Sequence, residues 1–216
     1  MKRNANEPPA RRRPDLPEDS SELDPVEEIR GRTRIEDSRA SGLDLSGRNL
    51  PSLRIEASVL ENVSFADATM GSCRLRDVRL VKCDLSNVSL RGFEAVRVEF
   101  IGCRLTGLKA AECRWQDVLV EECEARYAQF TDGEMKSCEF KNSRMEDADL
   151  RGANVEGVTF SGSLRKADMT GAQMAGADLR AADIEGLALR AEDLRGVIVN
   201  AGQAMDLVRF LGVVIR

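Results

Sequence analysis

From Leu45 to Phe160 an apolar residue stands at every fifth position, without exception in 24 successive units. If that residue is called i, the i−2 positions are mostly Ala, Cys, Val or Leu, and i−1 and i+1 are mostly polar or charged. At i+2, 18 of the 24 units carry Gly, Asn, Asp or Ser, the residues of tight turns. The stretch CDLSNVSLRGF (83–93) shows the rhythm, with apolar steps of two and three in alternation. A helix is excluded, because five residues advance about 500° and would smear the apolar positions around the cylinder. A straight strand is excluded as well, since it would turn i+2 inward with i−2 and i. The pattern instead predicts a short inward-facing β segment, a corner at i+2, and a fresh segment after it.

A corner of roughly a right angle every five residues closes a square after four units, so one coil is 20 residues. Cys83, Cys103 and Cys123 recur at that spacing in the i−2 slot, as do Val78, Val98 and Val118. Bulky and small residues alternate within coils, Phe93 before Ala95 and Leu108 before Ala110, as a narrow interior of fixed volume requires. Coils of this kind stack at the strand spacing of about 4.8 Å. The segments ADLRG (148–152), ADMTG (167–171) and CDLSN (83–87) resemble the pentapeptide-repeat family, and the resemblance extends over residues 33–201. It implies an all-β fold, a right-handed quadrilateral parallel β-helix of about 8 coils.

Three boundaries follow. Residues 1–32 mix Pro with charges of both signs and read as a disordered tail. Residues 33–201 form the solenoid, with Arg48 in an inward slot and Pro51 close by marking irregular first coils. One residue is missing after Phe160, where the next centre is Leu164, so a slip in register is expected near 162–166. Counting Ile35 and Ala40, 34 units make a rod roughly 40 Å long. Residues 202–216 read as a C-terminal helix ending at Gly212, with VVI (213–215) as a last strand. Such a helix caps the open end of the solenoid. Its apolar residues Met205, Leu207, Val208, Phe210 and Leu211 go nearly all the way round, so a homodimer through this helix is expected too.

Composition narrows the function. Histidine is absent, which removes the commonest general base and the commonest neutral metal ligand. Cys73, Cys83, Cys103, Cys113, Cys123 and Cys138 all fall at i−2 and read as buried, reduced, small core residues. Neither a phosphate loop nor a carboxylate dyad stands out, so no catalytic residue, cofactor or metal is assigned and a non-enzymatic protein is expected. The chain shows no apolar run of membrane-spanning length and no signal-peptide core at its start, which points to a cytoplasmic protein without membrane contact.

Two surfaces compete for a binding role. The resemblance implies that the rod could mimic duplex DNA and occupy the DNA-binding surface of a type II topoisomerase such as gyrase. That mechanism needs a continuous negative face. Here stacked charges alternate in sign, Arg74, Glu94, Arg114, Glu134 on one face and Asp84, Arg104, Glu124, Arg144 on another. The mimic candidates Glu121, Glu122, Glu124, Asp132 and Glu134 form the most acidic stretch, which is short. Against this, Val59, Val81, Ile101 and Leu119 are outward apolar residues on one face, one per coil, with Val96 near the adjoining corner. The expected function is a rigid protein-interaction module with a protein partner of unknown identity, gyrase mimicry being the alternative. Direct nucleic-acid binding is not expected at a net charge of −5.

Overall fold

The computed structural model describes residues 11–212 apart from 31 and 91. Most five-residue units turn i−2 and i inward and leave i+2 at the corner in the left-handed region, exceptions including Arg48, which is exposed, and the corners at Ser52, Ser72 and Ala181. Seventeen non-glycine residues adopt positive φ there, Asp67, Lys82 and Glu122 among them, so the coil geometry overrides the usual steric preference of these side chains. The backbone groups freed at each corner bond to the next coil: Lys82 N–H donates to Ile101 O and Gly102 N–H to Glu121 O, each at 2.9 Å.

Four faces result. The third and fourth carry long parallel strands, Ser52–Glu61, Cys73–Val81, Phe93–Ile101 and Arg114–Glu121, each passing through the corner between the two faces. Leu53, Cys73 and Phe93 pair in succession, and so do Ser58, Val78, Val98 and Val118, which establishes the 20-residue coil. The second face holds the short strands Asn49–Leu50, Thr69–Met70 and Ser89–Leu90. The first is joined by single bridges such as Asp84 to Arg104 to Glu124. The fold is a parallel β-solenoid of about 8 coils with one short helix near its C-terminal end.

Inside, the aliphatic column is interrupted by an aromatic cluster. Trp115 pairs in register with Ala95 and stacks on Phe100 and Phe140 at centroid distances of 5.7 and 6.3 Å, and Phe140 stacks on Phe160 at 5.1 Å. Ala95 leaves the volume that Trp115 fills. Cys83, Cys103 and Cys123 stack on one interior corner as expected, and they do more than fill space. Their thiols donate to Leu60 O, Leu80 O and Phe100 O of the preceding coil at 3.4–3.5 Å, and Ser143 Oγ takes the same role toward Val120 O at 3.0 Å. The column also accepts: Cys103 N–H donates to Cys123 Sγ at 3.3 Å and Cys123 N–H to Ser143 Oγ at 3.1 Å, bonds that an aliphatic side chain could not take.

The missing residue is absorbed at Ser161. Phe140 pairs with Phe160 at the regular spacing, but Ser143 pairs with Gly162, one residue short. Where the coil below donates Glu122 N–H to the carbonyl of Lys141, Asn142 N–H goes instead to the hydroxyl of Ser161 at 3.0 Å. Gly162 sits at φ 99°, and a Cβ on it would lie 2.3 Å from Ser143 O, so only glycine fits the tightened corner. The irregularity begins at the leading edge of the predicted 162–166 segment.

Both ends differ from the sequence expectation. The described part of the predicted disordered tail is ordered against the rod. Ser20–Glu22 forms a 3-10 turn, Asp24–Val26 pairs with Ser38–Ser41, and Ile29 is fully buried beneath the first coil. The N-terminal end of the core is thereby closed ahead of residue 33. Residues 1–10 lie outside the described residues. At the other end the helix α1 is Ala201–Leu207, followed by a 3-10 turn Val208–Leu211 that stops at Gly212 in the left-handed conformation (φ 71°). Asn200 and Gln203 form a capping box, and Gln203 Nε2 also donates to Leu179 O and Ala182 O at 2.7 and 2.8 Å. The cap thus pairs carbonyls that the last coil would leave open. The predicted VVI strand falls outside the described residues.

Candidate functional site

At the corner between the third and fourth faces and along the adjoining row of the fourth, side chains point away from the core, yet five of them are buried. Val59, Asp77, Glu99, Asp117 and Leu119 have relative exposures of only 3–8 %. An outward residue of a single-walled solenoid can be buried only by something lying outside the wall. For Glu99, Asp117 and Asp77 that is the chain's own N-terminal segment. Arg11 reaches Glu99 (3.1 Å), Arg12 binds both oxygens of Asp117 through its backbone N–H (3.1 Å) and Nε (3.0 Å), and Asp15 N–H donates to Asp77 Oδ1 (2.9 Å).

The segment 11–16 runs as an extended strap down this edge. Three residues separate Arg12 from Asp15, and two coils separate Asp117 from Asp77. An extended chain covers about 10 Å in three residues, and two coils rise about 10 Å, so strap and rod stay in step. Pro14 has no N–H to leave unsatisfied, and Pro14, Leu16 and Pro17 are half-buried.

The strap that encloses these carboxylates also satisfies them. Buried carboxylates are costly unless paired and hydrogen-bonded. Glu99 divides its oxygens between Arg79 of the rod (2.9 Å) and Arg11. Asp77 is held by Arg97, at 2.6 Å to Oδ1, and by Asp15 N–H. Burial alone would raise the Asp77 carboxyl, but these bonds keep it below the ordinary aspartate range. Asp117 is the most enclosed of the three and draws its guanidinium from Arg12.

This arrangement corrects the apolar stripe expected from the sequence. Val59 and Leu119 are buried at the strapped edge and are not free surface. Val81 and Ile101, neighbours in register on the fourth face, and Val96 on the third remain half-buried beside it. The strap itself was not foreseen, because a Pro- and charge-rich stretch carries no periodicity. The stripe was the signal for it: apolar outward residues in vertical register mark a surface that something covers.

The five mimic candidates do not form one face. Glu121 lies on the fourth face paired to Lys141 (2.5 Å), Glu124 on the first paired to Arg144 (3.1 Å) and Arg126 (3.2 Å), and Glu134 on the third. Glu122 and Asp132 stand at two different corners with positive φ. The stretch covers 14 residues of a 20-residue coil, from the fourth face round to the third. Elsewhere the ladders close as well: Arg74 to Glu94 at 2.9 Å, Arg104 to Asp84 at 2.7 Å, Arg165 to Asp183 at 3.1 Å.

At the C-terminal cap the dimer candidates also separate. Leu207 is buried against the last coil and Phe210 packs partly on the same core, so neither is free for a second copy. Met205 projects outward at 56 % exposure with Val208 half-buried, and the side chain of Leu211 is outside the described set. The six cysteines are free and buried. Burial pushes the Cys73 thiol up to about 12, and a bond donated by Cys83 to the neighbouring Cys103, together with burial, raises Cys83 further still. Among the described residues no group of acidic or cysteine side chains could hold a metal ion, and no helix is long and apolar enough to cross a membrane.

A four-cornered parallel solenoid with turn residues at every fifth position defines the class of protein. The family model "Pentapeptide repeat region" matches residues 73–150 and "Pentapeptide repeats (8 copies)" matches 163–196, together just over half of the chain. The chain belongs to the pentapeptide-repeat family. The two matches stop and resume on either side of the tightened corner at Ser161 and Gly162. Among solved structures the chain is similar to QnrB1, a plasmid-mediated fluoroquinolone resistance protein, in a trypsin-treated form, at 17% identity over 89% of this chain and 95% of that one, with a TM-score of 0.38. It is also similar to HetL, a pentapeptide repeat protein involved in heterocyst differentiation regulation from the cyanobacterium Nostoc sp. strain PCC 7120, at 17% identity over 76% and 86% of the two chains, TM-score 0.37. A third is Rfr23 from the cyanobacterium Cyanothece 51142, at 15% identity over 75% and 91%, TM-score 0.21. No curated protein matches the chain.

Proposed function

We propose that this protein is a non-enzymatic, rigid protein-interaction module whose contact surface is the strapped edge and the fourth face beside it. One observation carries the reading: the five buried outward residues all lie at this edge, where carboxylates and apolar side chains are set together outside the wall. Half-buried Val81 and Ile101 extend the same surface toward the fourth face. Around the rest of the rod many charges are engaged in cross-coil or local ion pairs, each worth little energetically.

Binding a type II topoisomerase as a DNA mimic is the second reading. The rod shape and the net charge of −5 favour it, and QnrB1 is described as a fluoroquinolone resistance protein. The ion-paired ladders count against it, because mimicry of a polyanion depends on an uncompensated negative stripe. A salt series on the partner captured from a native lysate, with gyrase supercoiling assayed in parallel, separates the two. The module reading expects capture to change little between about 50 and about 200 mM salt, and supercoiling to be untouched. Potent inhibition of supercoiling that fades steeply with salt would establish the mimic instead.

A further inference from the structure

The strap is held by bonds that a different chain could make equally well. Asp77 and Asp117 stand two coils apart in one corner column with Arg97 between them, and Glu99 lies beside them on the fourth face; each is enclosed and each accepts from the strap. The bonds that hold residues 11–15 to the column all run to rod side chains; no backbone ladder is involved. What the column asks of its occupant is simple to state: an extended backbone, N–H groups three residues apart, and adjacent arginines at one end. A polyproline-II chain repeats every three residues and about 9.3 Å, against about 9.6 Å for two coils of the rod, so one turn of such a chain spans from Asp117 to Asp77. Proline at the third position of the strap's Arg12-Arg13-Pro14 favours that extended form and sits where no N–H is needed.

We propose that this edge is a recognition groove for an extended peptide of a partner protein bearing consecutive arginines followed by proline, and that residues 11–16 occupy it in the free chain as a built-in stand-in. Charge complementarity selects the occupant. A neutral or acidic peptide in the groove would enclose Asp117 without giving it a guanidinium of its own, since Arg97 of the neighbouring coil is bonded to Asp77, a costly state. Arg11 is largely enclosed, but Arg12 is 63 % exposed in its side chain and no backbone ladder ties the segment to the rod, so it can be exchanged. Its tether gives it an effective concentration on the order of millimolar, which a partner must exceed in local concentration or affinity. The inference rests on the module reading and names the chemistry of its partner.

The test uses the full chain. Arg11→Glu with Arg12→Glu releases the strap by charge reversal, and a fluorescent peptide of the native sequence 10–19 is then titrated onto wild type and variant. The released variant is expected to bind the peptide at least about tenfold more tightly than wild type, and adding Asp117→Asn is expected to lose that gain. A scrambled peptide of identical composition is expected not to bind. In parallel, trypsin is expected to cut after Arg12 about tenfold faster in Asp117→Asn than in wild type. Equal peptide binding by wild type and released variant, equal binding of the scrambled peptide, or equal trypsin rates would overturn the proposal. A wild-type dimer that dissociates in the released variant would assign the groove to a second copy's strap and overturn it equally. If the peptide fails while Val81→Asp with Ile101→Asp still abolishes partner capture, this inference falls and the module reading stands; the reverse outcome sinks the module reading alone.

Discussion

At the scale of single residues the interior was readable and its chemistry less so. Apolar character at i−2 and i predicted which side chains face inward, and Cys83, Cys103 and Cys123 stack as their spacing requires. Their use as hydrogen-bond donors to Leu60, Leu80 and Phe100 carbonyls depends on cross-coil distances that no spacing reveals. Ser143, which does the same work one coil on, was the only hint. Burial raises the thiols, holding Cys73, Cys113 and Cys138 near about 12, so thiolate is scarce at neutral pH. Titration of the folded protein with a thiol reagent is expected to find all six unreactive on the timescale of minutes and all six accessible in denaturant. Rapid reaction of two or more in the native state would contradict the packed interior.

At the scale of elements, the sequence showed where the repeat breaks but not how the break is healed. A deletion is visible as a four-residue step from Phe160 to Leu164. That Ser161 lends its hydroxyl in place of a carbonyl, and that Gly162 tightens the corner beyond the reach of any Cβ, required coordinates. Gly162→Ala is therefore expected to destabilise the protein by about 2 kcal/mol or more, since it combines a strained φ with a backbone clash. Gly42→Ala, at a regular corner with open space around it, is expected to cost about half as much or less. Denaturant midpoints of the two variants settle the comparison, and equal losses would show that the corner at 162 is not special. The end elements were legible to different degrees. The cap helix announced itself through an apolar run ending at Gly212, whereas Ile29 and the strand Asp24–Val26 hid inside a Pro-rich stretch.

At the scale of the whole molecule, the repeat dictated a rod and left its surface undetermined, because only inward positions and corners are constrained by stacking. The alternating charge ladders were visible in the sequence and are realised as ion pairs. The strap was not visible, because its docking depends on matching an aperiodic tail to Glu99, Asp117 and Asp77 across three coils. The central claim is that the strapped edge and the fourth face beside it form the contact surface. Its most direct test is affinity for the captured partner, measured by surface plasmon resonance for wild type, for Val81→Asp with Ile101→Asp, and for a variant neutralising Glu121, Glu122, Glu124, Asp132 and Glu134. The account predicts that the first variant loses at least about 2 kcal/mol of binding, some thirtyfold or more, while the charge-neutralised variant binds within about threefold of wild type. Loss of binding in the charge-neutralised variant, with the apolar variant unaffected, would contradict it.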